Sequence, residues 1–340
     1  MHSKLRIGIV GAGGIVLQRH LPALLSMAEV EIVAVSNSTF ASSQRFCREH
    51  LPHATPFKNW VDLVALRELD AVWIGTPPYM HEPVTISALE AGRHVFCQAR
   101  MAMNLEEALE MQAAARKRPH LVTMLCPPPH GMRGDLLMRK VLADQLIGRP
   151  HQVRLQSFSS SFLDPAAPAH WRQRIELSGI NVLTLGIYVE VLQRWLGPIR
   201  AVTARAKTVF RMREHYEVRI PDMVSVLAEF DNGAEGVLEF SGVSAFAPSD
   251  RLEIYGDRGT IHYDFRADTI TVGRVGERAS STLEVPPAME RSWTVEKDFI
   301  AALKTPSAPR PHPNFDDGVA YMRVTQAVAD SIVAQRRVVV

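Results

Sequence analysis

The run LRIGIV (5–10) is apolar almost without interruption, and VEIVAVS (30–36), DAVWIGT (70–76), HVFCQ (94–98) and LVTMLC (121–126) repeat its character. Short, β-branched runs of this kind mark strands buried on both faces of a parallel sheet. Between them the apolar spacing becomes helical, at 15–27, about 41–50, 59–69, 81–91 and 105–117. Asn104 followed by Glu106 and Glu107 is a helix-start signature, because a capping amide and carboxylates meet the positive end of the helix dipole. This β-α alternation predicts a doubly wound α/β domain over residues 1–126.

After PPPHG (127–131) the pattern changes, and the three prolines read as a stiff hinge. A helix near 134–145 leads into an alternating strand at GRPHQVRLQSFSSSF, then a helix over 178–196. Half-buried strands follow around 200–208, 222–230, 234–242, 251–256 and 259–264, with turn signals at DNG and GDRG. Closing helices are predicted at 293–304 and about 315–335. A second α/β domain with an open, mostly antiparallel sheet is therefore expected over 127–340, its last helices free to return to the first domain.

The balance of 46% hydrophobic and 22% charged residues in 340 supports two well-packed domains. Net charge is +2, and acidic and basic residues are interspersed, which speaks against a nucleic-acid partner. Cys47, Cys97 and Cys126 have neither metal-ligand nor CxxC spacing, so no metal is expected and the thiols read as reduced core residues. With no leader pattern and no apolar run near the ~20 residues of a membrane span, a soluble cytoplasmic protein is expected.

GIVGAGGIVLQRH places Gly11, Gly13 and Gly14, with Ile15 behind them, between a strand and a helix. Such a turn brings backbone close to a pyrophosphate and aims free N–H groups at it. Val16 stands where the fingerprint prefers a small residue, which predicts a slightly wider helix–strand gap. The second strand ends in Ser36-Asn37-Ser38-Thr39 without a carboxylate for the ribose hydroxyls. Asn37 and Ser38 can instead serve a 2′-phosphate, a tilt toward NADP over NAD; Arg45 reads as a solvated side chain. Thr76, Pro77 and Pro78 form a rigid loop at another strand end, and His81 either contacts ribose or substrate or simply begins the next helix.

In order and spacing, GAGGIVLQRHLPAL, DAVWIGTPPYMHEPVTISALEAGRHVFC, SGINVLTLGIYVEVLQRWLG, LAEFDNGAEGVLEF, LEIYGDRGTI and WTVEKDFIAAL resemble the Gfo/Idh/MocA oxidoreductases over nearly the whole length. The resemblance implies a Rossmann domain, an α/β domain whose open sheet forms homodimers or homotetramers, and NAD(P)-dependent hydride transfer on a sugar or cyclitol. That family pattern reads Glu-Lys-Pro where this chain has Gln98, Ala99 and Arg100. It carries an Asp and a His where this chain has Thr184 and Tyr188.

On one helix Asn181, Thr184 and Tyr188 would share a stripe, which in the family's orientation faces the nicotinamide; internal hydrogen bonding is the competing reading. Glu190 lies on the opposite face and suits an ion pair with Arg194. Tyr188 as a base would need its ionisation, normally near pH 10, eased by about 4 kcal/mol, with Arg100 or Arg172 as the nearby cation; as an acid it needs less. The expected catalytic set is Tyr188, Thr184 and Arg100. The substrate set is Arg172, Asn181, Trp171 and His170, with Gln98 joining the cofactor residues; His130 reads as a solvated loop histidine. Three activities compete: hydride transfer to a small sugar-like or carboxylate-bearing carbonyl by a remodelled centre, a non-catalytic dinucleotide sensor, and a lyase or hydrolase that oxidises its substrate transiently.

Overall fold

The structure is a computed structural model, and residues 4–129, 132–305 and 309–340 are described. His130 lies outside the described residues. The chain divides into two compact units, Met1–Pro127 with Thr294–Val319, and Pro128–Trp293 with Ala320–Val340.

Among the described residues, the first unit holds a six-stranded parallel sheet. Its strands are β1 (Leu5–Val10), β2 (Val30–Ser36), β3 (Thr55–Phe57), β4 (Ala71–Ile74), β5 (His94–Cys97) and β6 (Thr123–Leu125), in the order β3-β2-β1-β4-β5-β6. All of β4 and the last four residues of β1 are buried, as unbroken apolar runs require. The order reverses between β1 and β4, and in open α/β sheets ligands collect at the carboxyl ends beside such a reversal. Strand β3 had no counterpart among the sequence expectations: it is three residues long, contains Pro56, and lies at the sheet edge where a missing N–H is tolerated. The return of Thr294–Val319 to this unit is anchored by Phe299, fully buried against the stacked rings of Trp73 and Phe96. Burying such a ring contributes about 2–3 kcal/mol.

The second unit is built on a long mixed sheet. Its strands are β7 (Pro150–Phe158), β8 (Ile199–Lys207), β11 (Met223–Phe230), β12 (Glu235–Ser241), β13 (Arg251–Gly256), β14 (Gly259–Asp264), β15 (Thr269–Arg274), β16 (Ser281–Leu283) and β17 (Val338–Val339); a short hairpin, β9 (Met212–Arg213) and β10 (Tyr216–Glu217), stands apart. The order is β16-β15-β14-β13-β7-β12-β11-β8-β17, antiparallel except for the β7–β12 pair. Alternation on β11 buries Val224, Val226 and Ala228 and exposes Met223 and Leu227 on the open face. The helix Leu185–Leu196 covers the other face, with Tyr188 against Phe240 and Trp195 stacked on Tyr263.

The helix expected over 178–196 is broken. A short turn of helix ends at Ser178, Gly179 takes φ +60° and Leu183 φ +47°, and the long helix begins at Leu185 with Thr184 as its N-cap position. Left-handed residues cannot continue a right-handed helix. Asn181 therefore leaves the stripe; it is buried, and its Nδ2 donates to the Ser178 carbonyl at 2.7 Å. No helix among the described residues is long and apolar enough to cross a membrane.

Candidate functional site

Gly11 ends β1 at φ +88°, a backbone conformation that favours glycine. A Cβ there would stand 2.7 Å from the Thr76 backbone nitrogen, so the turn after β1 and the end of β4 close directly on each other. Gly13 and Gly14 are the opposite case, since a Cβ on either would meet no atom within 4 Å. Gly13 borders a cavity of about 440 Å³, shared with Asn37, Ser38, Lys58, Thr76 and Pro77. The Thr76 hydroxyl is buried without a hydrogen-bond partner among the described residues. Open space over a glycine turn and an orphaned hydroxyl beside it fit the pyrophosphate and ribose of a dinucleotide. Val16 is accommodated by Gly75: the valine is fully buried, and a Cβ on Gly75 would lie 2.4 Å from its Cγ2.

Asn37 is a brace as much as a lining residue. Its Oδ1 accepts from the Ala12 N–H at 2.7 Å, its own N–H donates to Ser43 Oγ at 2.9 Å, and its Nδ2 donates to Ser42 Oγ at 3.3 Å. Ser38 and Ser42 line the same cavity, and among the described residues no carboxylate does. Lys58 does too; it is exposed, and its amine forms no ion pair among the described residues. Lys58 carries no sequence motif and follows the unforeseen β3, so the sequence reading missed it. Arg45 is exposed and does not line the cavity. Neither do Gly14, Ile15 and Pro78: Ile15 is 43% exposed, and Pro78 is itself buried at the start of a short turn.

Two expected ligand-facing side chains are turned to internal work, and a third, Arg100, is buried. His81 is fully buried; its Nδ1 lies 2.8 Å from the Arg100 carbonyl and its Nε2 lies 2.8 Å from the Thr76 carbonyl. It begins the next helix and ties two strand-end loops together, which corrects the ribose contact. Burial pushes its pKa down, against the carbonyls that favour its proton. Gln98 is buried with its Nε2 against His20 Nε2 and does not line the cofactor cavity, because His20 claims its amide. Arg100 is 5% exposed, and its peptide bond with Ala99 is cis.

In the second unit the polar residues expected near the substrate gather around a carboxylate that no motif marks. Tyr188 Oη donates to Asp250 Oδ2 at 2.6 Å, and Ser157 Oγ donates to the same oxygen at 2.8 Å. With its proton committed there, Ser157 Oγ accepts from Thr184 Oγ1 at 2.9 Å. Burial first, and then the negative charge of Asp250, push the Tyr188 pKa far above its ordinary value. Within its own unit Tyr188 thus has an anion beside it, which together with burial keeps the phenol protonated and speaks against a role as base.

His170 caps a short turn at Trp171–Gln173: its Nδ1 accepts from the Arg172 N–H at 3.1 Å, and Gln173 Oε1 accepts from the His170 N–H at 3.2 Å. Arg172 is exposed and lies over the Trp171 ring, 4.2 Å from its centroid. Glu190 pairs with Arg194 at 3.3 Å, as its spacing predicts.

Residues 5–125 match the oxidoreductase family with an NAD-binding Rossmann fold, and residues 136–262 match the GFO/IDH/MocA C-terminal domain. The chain belongs to the Gfo/Idh/MocA oxidoreductases. Among curated relatives, a dTDP-3,4-didehydro-2,6-dideoxy-alpha-D-glucose 3-reductase of Saccharopolyspora spinosa is 28% identical over 267 residues, covering 78% of this chain and 76% of that protein. An NAD binding oxidoreductase from Klebsiella pneumoniae superposes with a TM-score of 0.85 at 28% identity, over 99% of both chains. A levoglucosan dehydrogenase in complex with NADH and L-sorbose superposes at 0.87 with 20% identity and 99% coverage of both, a likeness of fold. As a Gfo/Idh/MocA protein, this chain is an NAD(P)-dependent oxidoreductase with a Rossmann domain and a mostly antiparallel C-terminal sheet.

Proposed function

We propose that this chain is an NADP-preferring oxidoreductase acting on a small sugar-like carbonyl or carbinol. The observation that carries the reading is the cavity over Gly13, which brings Ser38, Ser42 and the unpaired Lys58 together with no carboxylate. A carboxylate at that place would bind the ribose hydroxyls of NAD and repel a 2′-phosphate; hydroxyls and an ammonium do the reverse. A bound nicotinamide supplies hydride transfer. The chain's own part is to seat the pyrophosphate on the turn after β1, with Asn37 holding that turn to the second strand. The reductase relative whose name specifies a sugar supports the substrate class.

In the second unit, the exposed Arg172 over the half-buried Trp171 ring is the substrate contact we assign, while Thr184 and Tyr188 act through their hydrogen bonds. Met223 and Leu227, exposed on the open sheet face, support self-association through that sheet. Fluorescence titration with NADPH and NADH, followed by a panel of ketoses and cyclitols with the tighter dinucleotide, tests the function. Tighter binding of NADPH with turnover of a polyhydroxy substrate is expected. Tight binding without turnover on any of them would transfer the reading to a dinucleotide sensor.

A further inference from the structure

His81 opens the helix His81–Glu90 and is fully buried in the first unit. Both of its ring nitrogens face carbonyl oxygens. Nε2 stands 2.8 Å from the Thr76 carbonyl, and Nδ1 stands 2.8 Å from that of Arg100 and 3.2 Å from that of Met101. A carbonyl only accepts, and a neutral imidazole has one N–H to give. In the neutral ring one nitrogen therefore turns its lone pair on a carbonyl oxygen at contact distance. Only the imidazolium satisfies both sides.

Two influences compete for the second proton. Burial drives the charge out, the three carbonyls draw it in, and burial is the larger, so the pKa is lowered. The titratable groups on the elements around this end of the helix are Tyr79, Glu82, Cys97, Arg100, Glu107 and Glu110. Glu82, Glu107 and Glu110 act on one another, and after burial their repulsion pushes the Glu82 pKa up. The balance at His81 is thus one of burial against carbonyls, and an anion brought close would tip it. Thr76 connects the ring to the dinucleotide seat. Its carbonyl faces His81 Nε2, its backbone nitrogen would lie 2.7 Å from a Cβ on Gly11, and its buried hydroxyl has no partner among the described residues. A pyrophosphate over the glycine turn would therefore lie about one residue away from the imidazole, inside a poorly screened interior.

We propose that His81 is a positioning residue for the dinucleotide: it takes up a second proton when the pyrophosphate binds and then donates from both nitrogens, holding the ends of β4 and β5 together in the bound state. The inference goes beyond the oxidoreductase reading and rests only on its dinucleotide seat, so it applies to NADP and NAD alike. The sign follows from linkage. A proton held more tightly in the complex strengthens binding fully at low pH, and the gain is lost as pH rises through the titration of the ring in the complex.

The test is calorimetric titration of the full chain with NAD+ from about pH 6 to about pH 8.5, at each pH in two buffers of unlike ionisation enthalpy. NAD+ is the probe because the 2′-phosphate of NADP+ itself titrates in this range. Uptake of about 0.3–1 proton per NAD+ is expected at the acid end, with affinity rising about threefold to tenfold across the range. His81→Gln, whose side chain does not titrate, should abolish the uptake, flatten the pH dependence and weaken NAD+ severalfold at the acid end. In wild type carrying isotope-labelled histidine, NMR should show one ring pass from one protonated nitrogen to two when NAD+ is added, which keeps the test available if the variant does not fold. The proposal is overturned by NAD+ binding without net proton uptake, by uptake that survives in His81→Gln, or by rings whose protonation is the same with and without NAD+. Failure of both NAD+ and NADP+ to bind would overturn the dinucleotide seat, and this role of His81 with it.

Discussion

His20 and Glu296 stand 276 positions apart and meet at 2.5 Å, the imidazole Nδ1 against a carboxylate oxygen, with both side chains almost fully buried. A neutral imidazole that donates through Nδ1 accepts at Nε2, where the Gln98 amide donates. Glu296, His20 and Gln98 thus form one hydrogen-bonded line within the first unit, and the end of β5 is held by a helix from the far end of the chain. Glu296→Ala should cost about 2–3 kcal/mol, because it leaves a buried N–H without an acceptor. Glu296→Gln should cost about 1 kcal/mol, since the amide oxygen can still accept. Urea midpoints measured at constant m-value decide it, and equal stability of the two variants would remove the line from the account.

Tyr188→Phe distinguishes a positioning phenol from a proton-transferring one. The Tyr188 proton is committed to Asp250, and its pKa is driven up by burial and that charge. Turnover should persist in the variant, reduced within about tenfold and expressed mainly in KM, with the pH profile of kcat unmoved. Stability should fall by about 1–2 kcal/mol for the lost bond to a charged acceptor. Abolished turnover with an intact KM would restore Tyr188 as the acid.

Lys58→Ala should weaken NADPH about fivefold to tenfold, roughly 1–1.4 kcal/mol, and leave NADH within about twofold. Lys58→Glu should reverse the preference. The contrast should shrink as salt rises, because the amine is exposed and screened. Parallel losses for both dinucleotides would mean that Lys58 does not read the 2′ position.

Gly13→Ala places a Cβ in the open space above the glycine turn without touching the protein, since no atom lies within 4 Å of the added Cβ. Dinucleotide binding should fall by about a hundredfold or more while unfolding stability stays within about 1 kcal/mol. A variant that binds normally would place the pyrophosphate elsewhere.

The three thiols are free and buried, and burial pushes the Cys126 pKa up to about 12 and the Cys97 pKa well above its ordinary value. The folded state therefore keeps protons that the unfolded chain releases above about pH 8.5. Their contribution to stability is complete below that pH and is lost progressively as pH rises from about 8.5 to about 12, at up to about 1.4 kcal/mol per pH unit for each thiol. Cys126→Ala should flatten the fall in stability between pH 9 and 10.5 relative to wild type, measured by urea unfolding; parallel curves would contradict the linkage.

The β-α alternation, the glycine turn after β1, the two-part architecture and the pairing of Glu190 with Arg194 are all legible in the amino-acid order. These rest on short-range rules, namely the periods of strands and helices and the conformational freedom of glycine, which leave a mark within a few residues. Folding in three dimensions sets the rest: Gln98 serves His20, His81 clamps two loops, and Gly179 and Leu183 divide a helix whose apolar period runs on through them. It alone brought Lys58 to the dinucleotide cavity and Asp250 to Tyr188, 62 positions away. A polar side chain's partner is chosen by which strand ends and helices fold together, and neither residue's neighbours in sequence carry that information.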